Sequence, residues 1–276
     1  MGGDFGVSGA AFKFSKSENL NLTKFGGGGN IGDPRPLGST TARWQPVVQG
    51  ALGVLRATND ELPDQLAGAE NETRSFAVQF GGGARFWFDE HFNVAPTFMG
   101  MYGRTTDTFD PKSNRTASSL VPQGQSEGLI DWTAETWTAR PALELQYRFV
   151  WRRGIYTFTS NPVYFHTEVF SASNPNVGVI GNSATIDDKL DADIPTGVKL
   201  WNRELRTGGF LGRTELIGGL KDGLNGLDHL YEVHGRLVLD TLGAVWKAQW
   251  LGLGASYLWG PNASGWSAGL DANFKF

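Results

Sequence analysis

The stretch Trp137-Thr138-Ala139-Arg140-Pro141-Ala142-Leu143-Glu144-Leu145-Gln146-Tyr147-Arg148-Phe149-Val150-Trp151 decides the fold class. Its odd positions are apolar or aromatic, apart from Pro141, and four of its even positions are Arg140, Glu144, Gln146 and Arg148. A period of two puts these sets on opposite faces of an extended strand. The run is too long for the usual soluble strand of about 5–6 residues, and it exceeds the ~9–11 that cross a bilayer. Aromatic rings at both its ends suit the headgroup layers on either side of a membrane.

The same alternation recurs along the chain. Trp266, Ala268, Leu270, Ala272, Phe274 and Phe276 oppose Ser267, Gly269, Asp271, Asn273 and Lys275. Trp44, Pro46, Val48, Leu52 and Val54 oppose Arg43, Gln45 and Gln49, and Tyr231, Val233, Leu237 and Leu239 oppose Glu232, His234, Arg236 and Asp240. Short connections are expected near 89–90, 152–154, 206–208 and 241–243. Longer ones are expected near 57–72, 107–131 and 173–191. That alternation of short turns and long loops predicts an all-β, antiparallel, up-and-down transmembrane barrel. Strands are expected near 5–14, 18–26, 41–56, 73–88, 91–106, 136–151, 155–171, 193–205, 209–220, 228–240, 245–259 and 265–276. Their even number leaves both termini on the periplasmic side. Residues 26–40 read as a long glycine-rich turn, and Asn161-Pro162 as a bulge. The whole chain, 1–276, reads as one barrel domain and as a monomer.

Composition narrows the function classes. There is no cysteine, which excludes disulfides and thiolate metal sites. The net charge of −4, with no basic block, argues against a nucleic-acid partner. The chain opens without a signal peptide. Gly27, Gly29 and Gly32 have the spacing of a dinucleotide fingerprint, but Pro34 and Pro36 forbid the helix that must follow. No cofactor and no metal are expected.

The outer-membrane tail is also legible. Gly269 to Phe276 resembles the closing strand that the barrel assembly machinery reads, with Asp271 where that signal usually has glycine. Gly226-Leu227-Asp228-His229-Leu230-Tyr231-Glu232 and Trp266 to Phe276, with the twelve-strand pattern, resemble the solitary outer-membrane autotransporter-type β-barrels. The resemblance implies a translocator-like barrel without a passenger, located in a Gram-negative outer membrane. Its surroundings would be outer-membrane lipid and lipopolysaccharide, and its assembly would engage the machinery through Phe276.

Chemistry-bearing residues then sort by face. Arg43, Arg85, Arg140, Glu144, Arg148, Lys199, Arg203, Arg213, Glu215, Glu232, His234, Arg236 and Asp271 are expected to line the lumen. Basic groups outnumber acidic ones there, so a narrow pore with a basic lumen is the leading function. The alternatives are a plugged barrel acting through its outer loops, and a hydrolase of envelope lipids or peptides. For the last, the sequence offers Glu232 and His234 on one face but no Gly-x-Ser-x-Gly elbow, so no catalytic residue is assigned. Asp187, Asp188, Asp191 and Asp193 read as solvated charge in an outer loop.

Overall fold

The computed structural model describes residues 2–14, 18–59, 69–112, 115–178, 180–223, 226–245 and 248–275. Its strands are β1 (Gly2–Phe14), β2 (Glu18–Asn30), β3 (Arg35–Pro36), β4 (Arg43–Asn59), β5 (Glu70–Trp87), β6 (Phe92–Asp110), β7 (Thr133–Trp151), β8 (Gly154–Ala172), β9 (Ile180–Leu200), β10 (Arg203–Gly218), β11 (His229–Val245), β12 (Ala248–Gly260) and β13 (Ala263–Lys275). All but the two-residue β3 form the wall, each strand antiparallel to its neighbours. β1 pairs with β13, and β2 with β4, so the ring has no free edge and every wall strand is paired on both sides. The result is the expected closed antiparallel barrel of twelve strands. Closure is what lets a sheet sit in hydrocarbon, because no ladder donor or acceptor is left without a partner.

Among the described connections, most of the long ones lie at one end of the barrel; the exceptions are the 31–42 connection, which carries β3 at the short-turn end, and the two-residue 261–262 link at the long-loop end. Residues 88–91, 152–153 and 201–202 are the tight links at one end. At the other lie α1 (Arg115–Glu127), the segment 173–178 and α2 (Gly219–Gly223). The short-turn end is the periplasmic one in barrels of this kind. One of its turns is fixed by Asp89, whose carboxylate accepts the backbone N–H of Phe92 and of His91, both at 2.7 Å. Those two bonds hold its carboxyl below the usual carboxylate range. Because the folded-state value is the lower one, the stabilisation is present above the unfolded value. It is lost progressively as pH falls below the unfolded value of about 4 and on through the lower folded-state one. Protection of the His91 and Phe92 amides, measured against the intrinsic exchange rate at each pH, should fall as Asp89 protonates in the wild type and already be low at neutral pH in Asp89→Ala.

The large apolar side chains point away from the barrel axis. Phe80 is 69% exposed, Trp266 66%, Leu211 62% and Leu270 62%. The buried apolar cluster, by contrast, holds only Leu216, Leu227 and Ala263 among the described residues. A water-soluble sheet protein buries its aromatics, so this inverted distribution is that of a wall solvated by lipid.

Several boundaries differ from the sequence expectation. Gly26 to Asn30 belong to β2 and are not part of a turn; an added Cβ at Gly26 would sit 2.5 Å from that of Ala51, so only glycine allows β2 to lie this close to β4. Pro162 lies within a continuous β8, and pairing to β7 keeps one register across it, from Ala139↔His166 to Leu145↔Ser160. The shift lies instead at Glu135/Thr136. The turn expected at 206–208 is formed by Trp201 and Asn202, both with positive φ. β9 also begins at Ile180, not near 193, and so runs through the acidic stretch that reads as a loop in the sequence.

Candidate functional site

The inward face is polar and charged. On β7, Arg140 and Glu144 alternate with outward Trp137, Leu143 and Tyr147. Glu144 reaches Arg85 of β5, with Nη2 donating to Oε1 at 2.6 Å. Arg140 has no carboxylate in contact among the described residues. Its guanidinium lies 5.6 Å from the Phe165 ring centroid and 3.6 Å from the Met99 sulfur.

Across the lumen, β9, β10 and β11 carry the densest charge network. Arg236 forms a two-pronged pair with Asp191, at 2.8 and 2.7 Å. Arg206 donates to Asp193 at 2.6 Å and lies 3.0 Å from Asp240. The facing strands put these groups together: Thr157 of β8 pairs with Asp191, and Gly208 of β10 pairs with both Asp193 and Arg236. Gly208 leaves room for the Arg236 side chain, whose Nε would lie 3.1 Å from a Cβ placed there. Planar guanidinium–carboxylate pairs of this kind hold two strands in fixed relation. Asp187 is anchored separately by the Thr214 hydroxyl, at 2.6 Å.

The expected lining residues therefore divide. Arg85, Arg140, Glu144, Glu232, His234, Arg236 and Asp271 are on the face opposite the lipid-exposed side chains. Arg43 and Arg148 lie at the short-turn rim. Arg213 and Glu215 are corrected: they share a face with Leu211 and Ile217, which point outward, and they pair with each other. Arg213 also covers the ring of Tyr231. Their charge is tolerated there because they lie near the long-loop end of β10, above the hydrocarbon. Lys199 and Arg203 are corrected as well; they flank the Trp201–Asn202 turn, beyond the register shift at Glu204/Arg206. Asp191 and Asp193, expected in a solvated loop, are instead ion-pair partners in the wall. The sequence reading did not assign Lys24, Lys189 and Arg206 to this face. The parity of β9 and β10 would have found the last two once the turn was set at Trp201.

Among the described residues, two cavities in the lumen border the glycine run of β2. The larger, about 690 Å³, is bordered by Ser8, Lys24, Gln79 and Arg140. The smaller, about 470 Å³, is bordered by Lys189, Arg206, Arg236 and Trp250. Both border Gly26, Gly27, Gly28 and Asp271, so the glycine run of β2 forms a low wall common to the two.

The candidate hydrolytic pair Glu232 and His234 share the inward face of β11 but make no hydrogen bond or ion pair with each other among the described residues; His234 turns to Ser256 instead. His234 Nδ1 is 2.8 Å from the Ser256 hydroxyl, and the imidazole stacks on Phe210 with centroids 4.8 Å apart. Ser256 is only 3% exposed, and no carboxylate contacts the second His234 nitrogen among the described residues. A nucleophile needs an open approach and an oriented base. The arrangement is that of two lumen groups satisfying each other.

Known proteins agree with this architecture. The β domain of the Bordetella autotransporter BrkA is similar with a TM-score of 0.64 at 15% identity, covering 100% of this chain and 99% of that one. The transport unit of autotransporter AIDA-I from Escherichia coli gives 0.67 at 10% identity, covering 100% and 91%. The translocator domain of NalP from Neisseria meningitidis gives 0.58 at 11%, covering 100% and 88%. Identities this low speak for the fold alone. No curated protein matches the chain by sequence. The family model for the solitary outer membrane autotransporter beta-barrel domain matches residues 35–272, most of the chain. With its closed twelve-strand ring and lipid-facing aromatics, this chain belongs to the solitary outer-membrane autotransporter β-barrel family and is a protein of the bacterial outer membrane.

Proposed function

We propose that the barrel is a narrow, water-filled pore for small polar solutes, running beside the glycine face of β2. One observation carries this reading: the two cavities share Gly26, Gly27 and Gly28, so that side-chain bulk is missing along one wall. On the opposite wall, the Arg206 and Arg236 pairs fill the lumen and narrow the path. The basic lumen expected from the sequence becomes a mixed one, because Asp191, Asp193 and Asp240 answer the arginines. Selectivity is therefore by size first, with weak charge preference. Neighbouring charges that pair across a lumen present little net field to a passing ion. In this reading the outer wall meets outer-membrane lipid, lipopolysaccharide included. The closing strand is what the assembly machinery reads; its last residue, Phe276, lies outside the described residues.

Liposome swelling tests the pore. Vesicles holding the refolded protein should swell in small sugars and not in large oligosaccharides. Ser8 is exposed to the larger cavity. Ser8→Trp should cut the swelling rate about tenfold while the heat-modifiable folded band is kept. No swelling by folded wild type would instead support a plugged barrel acting through its loops.

A further inference from the structure

The outer wall carries one cluster of charge where hydrocarbon should end. On β6, outward Arg104 stands directly beside Phe76 of β5, which stands beside Val54 of β4. One repeat closer to the long loops, Arg74 of β5 is opposite Arg56 of β4. Arg74, Arg104 and Arg56 are 67%, 58% and 54% exposed in their side chains. Directly opposed strand residues have Cβ atoms about 5 Å apart and diagonal ones about 7–8 Å, so the three guanidinium groups converge on one patch.

Among the described residues, two carboxylates answer them. Glu72 is shared, at 2.5 Å from Arg56 Nε and 2.6 Å from Arg74 Nε. Glu135 lies 3.9 Å from Arg104, at the limit of an ion pair. Arg104 therefore keeps most of its donors free. Just toward the membrane interior lie Tyr102 and Trp137, paired across β6 and β7, and then Val78, Phe80 and Phe98. Aromatic rings of this kind mark the boundary between acyl chains and headgroups. Arginines one repeat beyond that boundary are at the height of lipid phosphates.

We propose that the patch Arg56–Arg74–Arg104 binds a phosphate of lipopolysaccharide, with the acyl chains lying along Phe76, Phe80 and Phe98. The proposal rests on the outer-membrane reading of the wall and is independent of the pore. Lipopolysaccharide is the occupant because the patch is at the long-loop end, which faces the outer leaflet. A guanidinium suits a phosphate through parallel N–H donors. Elsewhere at this end, outward charge is balanced or acidic: Arg213 pairs with Glu215, and His166 with Glu168.

Native mass spectrometry of the full chain in detergent, with added lipid, tests it. The probes are bisphosphorylated lipid A, dephosphorylated lipid A and phosphatidylglycerol. Wild type should retain bisphosphorylated lipid A about tenfold better than either of the others. Arg74→Gln/Arg104→Gln, and to a lesser degree Arg104→Gln alone, should lose that preference about tenfold. Arg213→Gln should keep it. Equal retention of dephosphorylated lipid A overturns the phosphate contact, and equal retention of phosphatidylglycerol overturns lipopolysaccharide as the occupant. A double variant that retains lipid A like wild type overturns the assignment to these arginines. Loss of all lipid retention by wild type would reach further and deny the membrane-facing reading of the wall itself.

Discussion

Phe80→Arg should lower the stability of the folded barrel by about 2–4 kcal/mol, the cost of an arginine facing lipid near the bilayer midplane. Phe80 sits near the middle of β5 and is 69% exposed on the outward face. Its chain neighbour Gln79 borders the larger cavity. Gln79→Arg should cost no more than about 1 kcal/mol, arising from repulsion by Arg140 and Lys24 through lumen water. The pair of variants differs by one position along the chain and by the whole thickness of the wall. Equilibrium unfolding in lipid vesicles with guanidinium measures both. Equal costs would mean that the two faces are not lipid and water. Arg213→Leu, on the outward face, should be tolerated, whereas a lumen arginine such as Arg236 leaves Asp191 unpaired when it is removed.

Gly83→Leu should abolish assembly of the barrel. β5 passes β6 so closely here that a Cβ on Gly83 would meet the carbonyl oxygen of Pro96 and lie 2.8 Å from the Thr97 Cα. Gly81, two residues earlier, has the same problem with Phe98 and with the Met99 Cα at 2.6 Å. The obstacles are backbone atoms in a paired strand, so they cannot rotate aside as a side chain would. Separating the strands enough to fit the side chain breaks ladder bonds that lipid cannot replace. The expected result is loss of the heat-modifiable folded band after refolding into lipid. Gly100→Leu is the control, because a Cβ at Gly100 meets nothing within 4 Å; it should fold. Normal refolding of Gly83→Leu would show that β5 and β6 do not approach in this register.

The barrel was legible because lipid imposes a strict rule: every second side chain must be apolar across some ten residues. Trp137 to Trp151 obeys it from end to end, and the structure places that run in β7. The lumen obeys no such rule, and there the reading became harder. The acidic run Asp187 to Asp193 reads as a loop when taken alone, because four carboxylates in seven residues look solvated. Their partners, Arg206 and Arg236, come from strands further along the chain, and only pairing brings them together. Gly208 misleads in the same way. It resembles a turn residue, but it is a strand residue kept bare by the Ala192 carbonyl of the flanking strand. Reading 173–191 as a loop starts the strand at 193, whereas β9 begins at Ile180 and carries Asp187, Asp188 and Asp191 in the wall. The charge on Arg213 and Glu215 misled differently: charge predicts the lumen only at hydrocarbon depth, and these residues lie nearer the headgroups.

The pore reading stands or falls on whether water and ions pass beside Ser8. The chain has no cysteine, so Ser8→Cys is a unique reactive site in the larger cavity. Single-channel current through this variant should step down when a water-soluble, charged thiol reagent is added, and recover on reduction. The wild type under the same treatment should be unaffected. Stable conductance that ignores the reagent would place the path elsewhere, and a folded, silent barrel would contradict the pore.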